Sequence, residues 1–298
     1  MINYTSCPVC DAGCIREDLI AKDYTVSKKN FDVWACDNCD LKYTDKVPNQ
    51  SEIGKFYKSS DYISHSDTKV GLINKMYHKV RNHTLNTKRK LVEHFTNTNQ
   101  GVILDIGCGT GAFLNNMQQA GWQITGLEPD ANAIKTAKSL YKIAPKSPEE
   151  LFLLPANSFD AITMWHVLEH VHQLHEYIEQ LKNLIKPKGA IFIAVPNYQS
   201  LDAEFYGAHW AAYDVPRHLY HFSPKSMEKL VSLHGLKIKA HKPMWFDSFY
   251  VSMLSEKYKS KKSKNNFLRA FTIGLFSNLS ALFNTKKSSS IIYIIEKA

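Results

Sequence analysis

The sequence predicts an α/β protein: a mostly parallel, doubly wound sheet with helices on both faces, preceded by a small metal-binding ribbon. Three observations carry that expectation. A glycine-rich turn, VILDIGCGTGAFL at 102–114, joins a short apolar run to a helical one. From there to the C-terminus, strand-like and helix-like patterns alternate, as crossover units of a parallel sheet do. Two Cys-x-x-Cys pairs stand near the N-terminus.

The cysteines come first in the chain. Cys7-Pro-Val-Cys10 and Cys36-Asp-Asn-Cys39 are separated by 25 residues, while Cys14 and Cys108 stand apart. Two residues between thiolates let both reach one tetrahedral zinc from a single turn, and a second turn completes four-coordination. Four protein ligands leave no open position, so the expected zinc is structural. The N-terminus MINYTSCPVC shows no basic segment followed by an apolar run, so no secretory signal is expected and disulfides are the weaker reading. No stretch reaches the roughly 20 apolar residues of a membrane span, and a cytoplasmic location is expected. Between the cysteine turns, KNFDVWAC alternates like a ribbon strand.

The net charge of +9 is unevenly placed. Residues 225–298 sum to +10 and residues 1–224 to −1, and Lys69–Lys90 holds seven Lys/Arg without an acid. Such stretches favour phosphate-rich partners, namely nucleic acid, anionic lipid or phosphorylated small molecules, or are solvated surface. Residues 45–60 read as a linker, and a helical pattern follows over Gly71–Phe95.

Gly107, Gly109 and Gly111 connect a strand over Val102–Ile106 to a helix over Ala112–Ala120. Glycines there permit positive φ and let a ligand lie on bare backbone, while the helix N-terminus offers unpaired N–H groups. Asp105, two residues before the first glycine, suits a ligand with a cationic amine better than a pyrophosphate. The next strand, Trp122–Leu127, ends in Glu128, where an acid accepts hydrogen bonds from ribose hydroxyls in such units. Glu128-Pro129-Asp130 opens a helix over Asp130–Leu140. Further strands are expected at Phe159–Trp165, at Gly189–Val195 after a Pro187-Lys-Gly189 turn, near 237–242, and at Ser290–Glu296. Helices are expected over Leu174–Ile185, and from Ser223-Pro224 to Gly235. A third strand near Lys142–Ala144 is weak, and Ser147, Glu149 and Glu150 remain alternatives for an adenine contact.

DIGCGTG resembles the first motif of class I S-adenosylmethionine-dependent methyltransferases, and Glu128 their ribose-binding acid. The resemblance implies a Rossmann-like sheet of seven strands, the last antiparallel. It places Gly107, Gly109 and Gly111 against the methionine and ribose parts of S-adenosylmethionine and Asp105 near its amino group. Pro129, Asp130, Trp165 and His166 complete the expected cofactor-binding set. A dinucleotide unit would usually read G-x-G-x-x-G, whereas the spacing here is G-x-G-x-G.

The segment ITMWHVLEHVH (162–172) follows the fourth strand on the sheet edge where ligands bind. His166-x-x-Glu169-His170 is similar to an E-x-x-E-H motif that binds a divalent metal in small-RNA 2′-O-methyltransferases and some ubiquinone-pathway O-methyltransferases. In the first group another histidine comes from after the fifth strand, here WAAYDVPRHLYHFSP (210–224). Two readings stay open. A catalytic divalent metal would be held by His166, Glu169, His170 and His218, or His166 and His218 act without metal as pocket lining and proton acceptor. Bland readings are a carboxylate near a helix start for Glu169 and exposed positions without a role for His172 and His175. Tyr62, His65, Trp210, Tyr213, Asp214, Arg217 and His221, with His218, are available to shape the acceptor pocket. A buried Arg217 would favour an anionic acceptor.

Nearly the whole chain resembles bacterial class I methyltransferases with an N-terminal zinc ribbon, through C-P-x-C…C-x-x-C-x-L-x-Y-T, L-E-H and D-V-P-R-H-L-x-H-F. The resemblance implies a zinc ribbon at 1–46, a basic helical lead-in and substrate cap at 47–100, and a methyltransferase domain at 101–298. Insertions fall at 197–222 and 254–289. The acceptor class implied is a small metabolite, sugar or surface-polysaccharide precursor. Alternatives are an RNA methyltransferase using the ribbon and basic patch, whose binding would weaken with salt, and a cofactor-binding protein without catalysis. Within 254–289, LSEKYKSKKSKNN reads as a charged loop and FLRAFTIGLFSNLSALF as an apolar-rich helix. That helix packs on the sheet edge, forms a dimer contact or lies on an anionic membrane.

Overall fold

The computed structural model describes residues 1–57, 72–259 and 266–298, with side chains of the first helix from Val80 onward. Expected pocket residues Tyr62 and His65 lie outside the described residues, as does Lys69 of the basic patch.

Strands β1 (Ile15–Lys22), β2 (Asn30–Cys36) and β3 (Lys42–Thr44) form an antiparallel ribbon. A fourth strand, β8 (Tyr220–His221), comes from far along the chain and pairs with β3 through Lys42–His221 and Tyr43–Tyr220. Thr44 locks this register: its N–H donates to Leu219 O at 2.9 Å and its hydroxyl to His218 O at 2.8 Å.

The second sheet has the order β5-β4-β6-β7-β10-β9. Its members are β4 (Val102–Ile106), β5 (Gln123–Leu127), β6 (Phe159–Trp165), β7 (Ile185–Pro196), β9 (Leu236–Pro243) and β10 (Ser290–Lys297). β4 lies parallel to both β5 and β6. Six strands are present among the described residues where seven were expected. The segment around Lys142–Ala144 makes one bridge, Leu127 to Lys146, because Pro145 removes a donor and cuts the run short. β7 also begins four residues earlier than expected, so Pro187 and Gly189 lie within a strand. A Cβ at Gly189 would sit 2.9 Å from Asp160 O, so the chain continues there only because the residue has no side chain.

The helices are α1 (Leu72–Thr96), α2 (Ala112–Gln119), α3 (Ala131–Tyr141), α4 (Leu174–Leu184), α5 (Leu201–Tyr206), α6 (Pro224–Leu233), α7 (Asp247–Lys259) and α8 (Asn266–Phe283). Ser223 and Ser226 close a capping box at the start of α6, and Gly235, at φ +67°, follows its end. Residues 254–259, expected as the start of a charged loop, are the last turns of α7.

The chain forms two compact units. One holds β1 to β3, His166–Tyr177 and Ala194–Tyr293; the other holds α1 to Trp165, Ile178–Ile193 and Ile294–Ala298.

Candidate functional site

In the second unit the glycine turn takes its shape from three positive φ angles: +68° at Gly107, +56° at Gly109 and +76° at Gly111. An L side chain costs about 1–2 kcal/mol in that region. The turn is hung from the neighbouring strand. Gly107 N–H and Cys108 N–H both donate to Leu127 O, at 2.8 and 3.0 Å, and Gly109 N–H donates to Glu128 Oε2 at 2.7 Å. Glu128 Oε1 accepts from Asp130 N–H at 3.0 Å. The acid is thereby oriented at the turn, at the strand end where a ribose-binding carboxylate stands in such units. Pro129 is exposed, and Asp130 caps α3 through Asn132 N–H at 2.8 Å.

Beneath the turn, Asp105 is buried and accepts from the Thr163 hydroxyl at 2.6 Å. Burial pushes its carboxyl up to about 7, although the Thr163 hydrogen bond and the positive charge of Lys88 pull the other way. Trp165 stands edge-on to Phe113, with ring centroids 5.5 Å apart, and Lys88 Nζ lies 4.2 Å over its ring. The indole N–H of Trp165 is buried without an acceptor among the described residues. A bare-backbone turn, an oriented acid and an orphaned donor are the features that a nucleoside with a charged amino-acid tail would fit.

The first unit holds two candidate metal sites. The Sγ atoms of Cys7 and Cys39 are 3.5 Å apart and those of Cys10 and Cys36 3.6 Å apart, with all four inside 4.8 Å of one another. Thiolates about 2.3 Å from one tetrahedral zinc stand about 3.8 Å from each other. Each pair sits on the same kind of turn: Asp11 N–H donates to Cys7 O and Asp40 N–H to Cys36 O, with φ +54° and +59° at the two aspartates. The four thiols are placed to hold one structural zinc.

The second site is built on Glu169, His170 and His218, whose ligand atoms lie within 4.8 Å of one another. Glu169 is fully buried and, among the described residues, neither carboxylate oxygen accepts a hydrogen bond. His166 Nδ1 approaches Glu169 Oε1 to 3.4 Å, an ion-pair contact. Despite its burial, the charges of His166, His218 and His170 hold Glu169 below its ordinary range. His170 Nδ1 lies 3.0 Å from Arg217 O, and His218 Nδ1 lies 2.8 Å from Ala212 O. A carbonyl oxygen only accepts, so Nδ1 carries the proton in both rings and Nε2 presents a lone pair when the ring is neutral. Tyr57 Oη also lies 3.0 Å from His170 Nδ1. Burial, with the charge of His218, pushes His170 down to about 4. Backbone-fixed imidazoles beside an unsatisfied buried carboxylate match the donor set of a divalent cation.

His166 belongs to a different arrangement. Its φ is +59°, its N–H donates to Ala194 O at 2.9 Å, and its Nε2 lies 2.9 Å from Asp247 Oδ2. Burial lowers its pKa, but the carboxylates of Asp247 and Glu169 more than reverse this and push it up to about 10. The two flanking carboxylates favour the protonated ring. It stays beside the Glu169 cluster, outside its ligand set.

The remaining expected pocket residues are mostly structural in their contacts. Trp210 and Tyr213 lie in an apolar core cluster with Phe31, Val33 and Val215, and the Trp210 indole donates to Asp202 at 2.8 Å. His221 is buried on β8, its Nε2 3.2 Å from the Thr44 hydroxyl. Arg217 is 1% exposed, and its guanidinium donates to Asp214 at 2.9 Å, Phe56 O at 3.0 Å and Asp23 at 3.3 Å. Those contacts commit Arg217 to carboxylates of the chain itself. His172 and His175, expected as exposed positions without a role, are half-buried and bonded. His172 reaches Pro48 O and His175 reaches Pro8 O, each at 3.0 Å, and both thereby tie the N-terminal segment down.

Three contributors escaped the sequence reading. Thr163 carried a signal, being the polar residue inside the apolar strand two positions before Trp165. Asp247 lies 81 residues from His166 and Tyr57 lies 113 from His170, and neither has a local pattern that marks it.

Comparison with known proteins adds to this geometry. A family model for a methyltransferase domain matches residues 77–241. The mitochondrial ubiquinone biosynthesis O-methyltransferase of Rattus norvegicus is 29% identical over 163 residues, covering 49% of this chain and 47% of the relative. The ubiquinone biosynthesis O-methyltransferase of Rickettsia typhi is 26% identical over 214 residues, covering 67% of this chain and 84% of the relative. The chain thus spans about half the length of the mammalian relatives it matches. A provisionally named sarcosine dimethylglycine methyltransferase from Galdieria sulphuraria superposes with a TM-score of 0.51 at 14% identity, covering 76% of this chain and 88% of that one. At that identity the likeness is one of fold.

Proposed function

The chain belongs to the methyltransferase-domain family, and on that premise we propose that it transfers a methyl group from S-adenosylmethionine to an oxygen of a small-molecule acceptor, a metabolite or a sugar. The observation that carries the reading is the glycine turn: positive φ at Gly107, Gly109 and Gly111, hung on Leu127 O and Glu128 above the buried Asp105. The ubiquinone-pathway relatives, named as O-methyltransferases, support oxygen as the acceptor atom.

S-adenosylmethionine supplies an electrophilic methyl sulfonium that a nucleophile displaces in line. Gly107, Gly109 and Gly111 would bind it along bare backbone, Glu128 would take the ribose hydroxyls, and Asp105 would favour the cationic amine. The family's mechanism needs alignment and exclusion of water above all. A hydroxyl acceptor must also lose its proton, and the lone pair at His218 Nε2 is suited to receive it because Ala212 O fixes the ring's other nitrogen. His166, which follows Trp165 directly in the chain, acts as a positioning residue that holds Glu169 by charge. The Glu169 carboxylate, unsatisfied among the described residues, favours an alternative use of the same lone pair: Glu169, His170 and His218 would hold a divalent cation, which would acidify a bound hydroxyl in place of proton transfer to His218.

Calorimetry with S-adenosylhomocysteine tests the cofactor half. Labelled S-adenosylmethionine incubated with fractionated lysate tests the rest, the expected label appearing in a small-molecule or sugar fraction. Label in RNA would overturn the acceptor class, and tight cofactor binding without transfer would leave a binding protein.

A further inference from the structure

Helices α7 and α8 are built inside out. The inward residues of α8 are Ala270, Gly274, Ser277 and Ala281, and those of α7 are Ser248, Ser252, Ser255 and Glu256. Large side chains face the other way: Phe267 is 72% exposed, Phe276 52%, Phe283 92% and, on α7, Tyr250 58%. Close packing is the cause. A Cβ at Gly274 would come within 2.8 Å of Phe249 Cδ1 and 3.1 Å of its Cα, and Ser248 Oγ donates to Gly274 O at 3.1 Å. Two helices meeting at backbone range leave no inward room for aromatics. Single exposed apolar residues are ordinary, but a stripe along two adjoining helices marks a docking face.

Charge identifies the partner. Among the described residues of 245–287 there are five Lys/Arg and two acids, and both acids are engaged, Asp247 by His166 and Glu256 by Arg269. Lys259 and Arg269 each lie 5.1 Å from the exposed Phe205 ring, so cations border the apolar stripe. Two copies meeting on this face would oppose like charges. A bilayer carrying anionic headgroups neutralises them and takes the aromatics into its interfacial layer. No helix among the described residues is long and apolar enough to cross a membrane, so the contact lies in the membrane plane.

We propose that the outward face of α7 and α8 seats this protein on an anionic lipid surface, with the aromatic stripe inserted and Lys257 and Lys259 against the headgroups. The reading is independent of the reaction catalysed.

Co-sedimentation of the full chain with vesicles tests it, using phosphatidylcholine alone and phosphatidylcholine with about one third phosphatidylglycerol. Binding is expected to the mixed vesicles only, weakening as salt rises. The combined variant Phe267→Ser, Phe276→Ser, Phe283→Ser should lower partitioning at least about tenfold while leaving thermal unfolding and cofactor affinity unchanged. Absence of binding to the mixed vesicles would overturn the proposal, as would binding indifferent to the three substitutions. A solution dimer dissolved by those substitutions, without vesicle binding, would assign the face to a second copy instead.

Discussion

His166 Nε2 lies 2.9 Å from Asp247 Oδ2, across 81 residues of sequence. The other ring nitrogen faces Glu169 at 3.4 Å. The imidazole is therefore held between two carboxylates, an arrangement that favours its protonated form and lets it brace both.

Asp247→Asn should return the His166 titration toward the ordinary histidine range. His166 has a folded pKa raised above its unfolded value of about 6.5. Its stabilising effect is therefore complete below that value and lost as pH rises through about 10. The stability difference between wild type and variant should accordingly fade over that window. With 34% of the side chain exposed, solvent screens the pair, so the titration observed by nitrogen NMR is the sharper readout. An unshifted His166 in the variant would refute the brace.

Glu128→Ala removes the acceptor of Gly109 N–H and Asp130 N–H. S-adenosylhomocysteine affinity should fall by about ten- to a hundredfold, the equivalent of one or two lost charged hydrogen bonds. Gly109→Ala, forced into φ +56°, should cost about 1–2 kcal/mol and weaken binding as well. Calorimetry measures both, and an unchanged dissociation constant in Glu128→Ala would remove the acid from the cofactor site.

Metal analysis should find one zinc per chain, released by Cys36→Ser. Because β3 pairs with β8 (Lys42 with His221), chelation should loosen residues 220–221 as well as the cysteine turns. Hydrogen exchange would show that loss of protection; a loss confined to the cysteine turns would contradict it.

Glu169→Gln keeps the shape of the buried side chain and removes its charge. Manganese binding, read by electron paramagnetic resonance, should weaken by about 10- to 100-fold or more, and chelator should slow methyl transfer in the wild type only. Turnover insensitive to chelator in every variant would dismiss the second metal and leave His218 alone as proton acceptor.

Arg217→Ala strands Asp23 and Asp214 inside the protein, and breaking a buried pair from one side costs about 3–5 kcal/mol. The expected result is a lowered unfolding temperature, with Arg217→Lys rescuing little because Lys lacks the planar fork. A stable Arg217→Ala protein with altered acceptor preference would instead return Arg217 to the pocket.

Local patterns made much of this molecule legible. Gly107, Gly109 and Gly111 announced a positive-φ turn because few other residues tolerate one, and the paired cysteines announced their own spacing. Capping residues Ser223 and Pro224 and the terminating Gly235 marked α6 to within two residues. The sequence failed where the cause was remote. β7 runs through Pro187 and Gly189 because Asp160 lies against it, and α8 turns its large residues outward because Phe249 occupies the space at Gly274.

The sequence by itself therefore determined the sheet class, the glycine turn, the four clustered cysteines and the pair Glu169-His170, all written in residues close together along the chain. Tertiary structure alone decided that Asp247 faces His166, that Asp23 and Asp214 pair with Arg217, and that Tyr220 and His221 complete the N-terminal ribbon. Charge state and burial depend on neighbours brought together by the fold, and a pairing across tens of residues leaves no period or spacing to read.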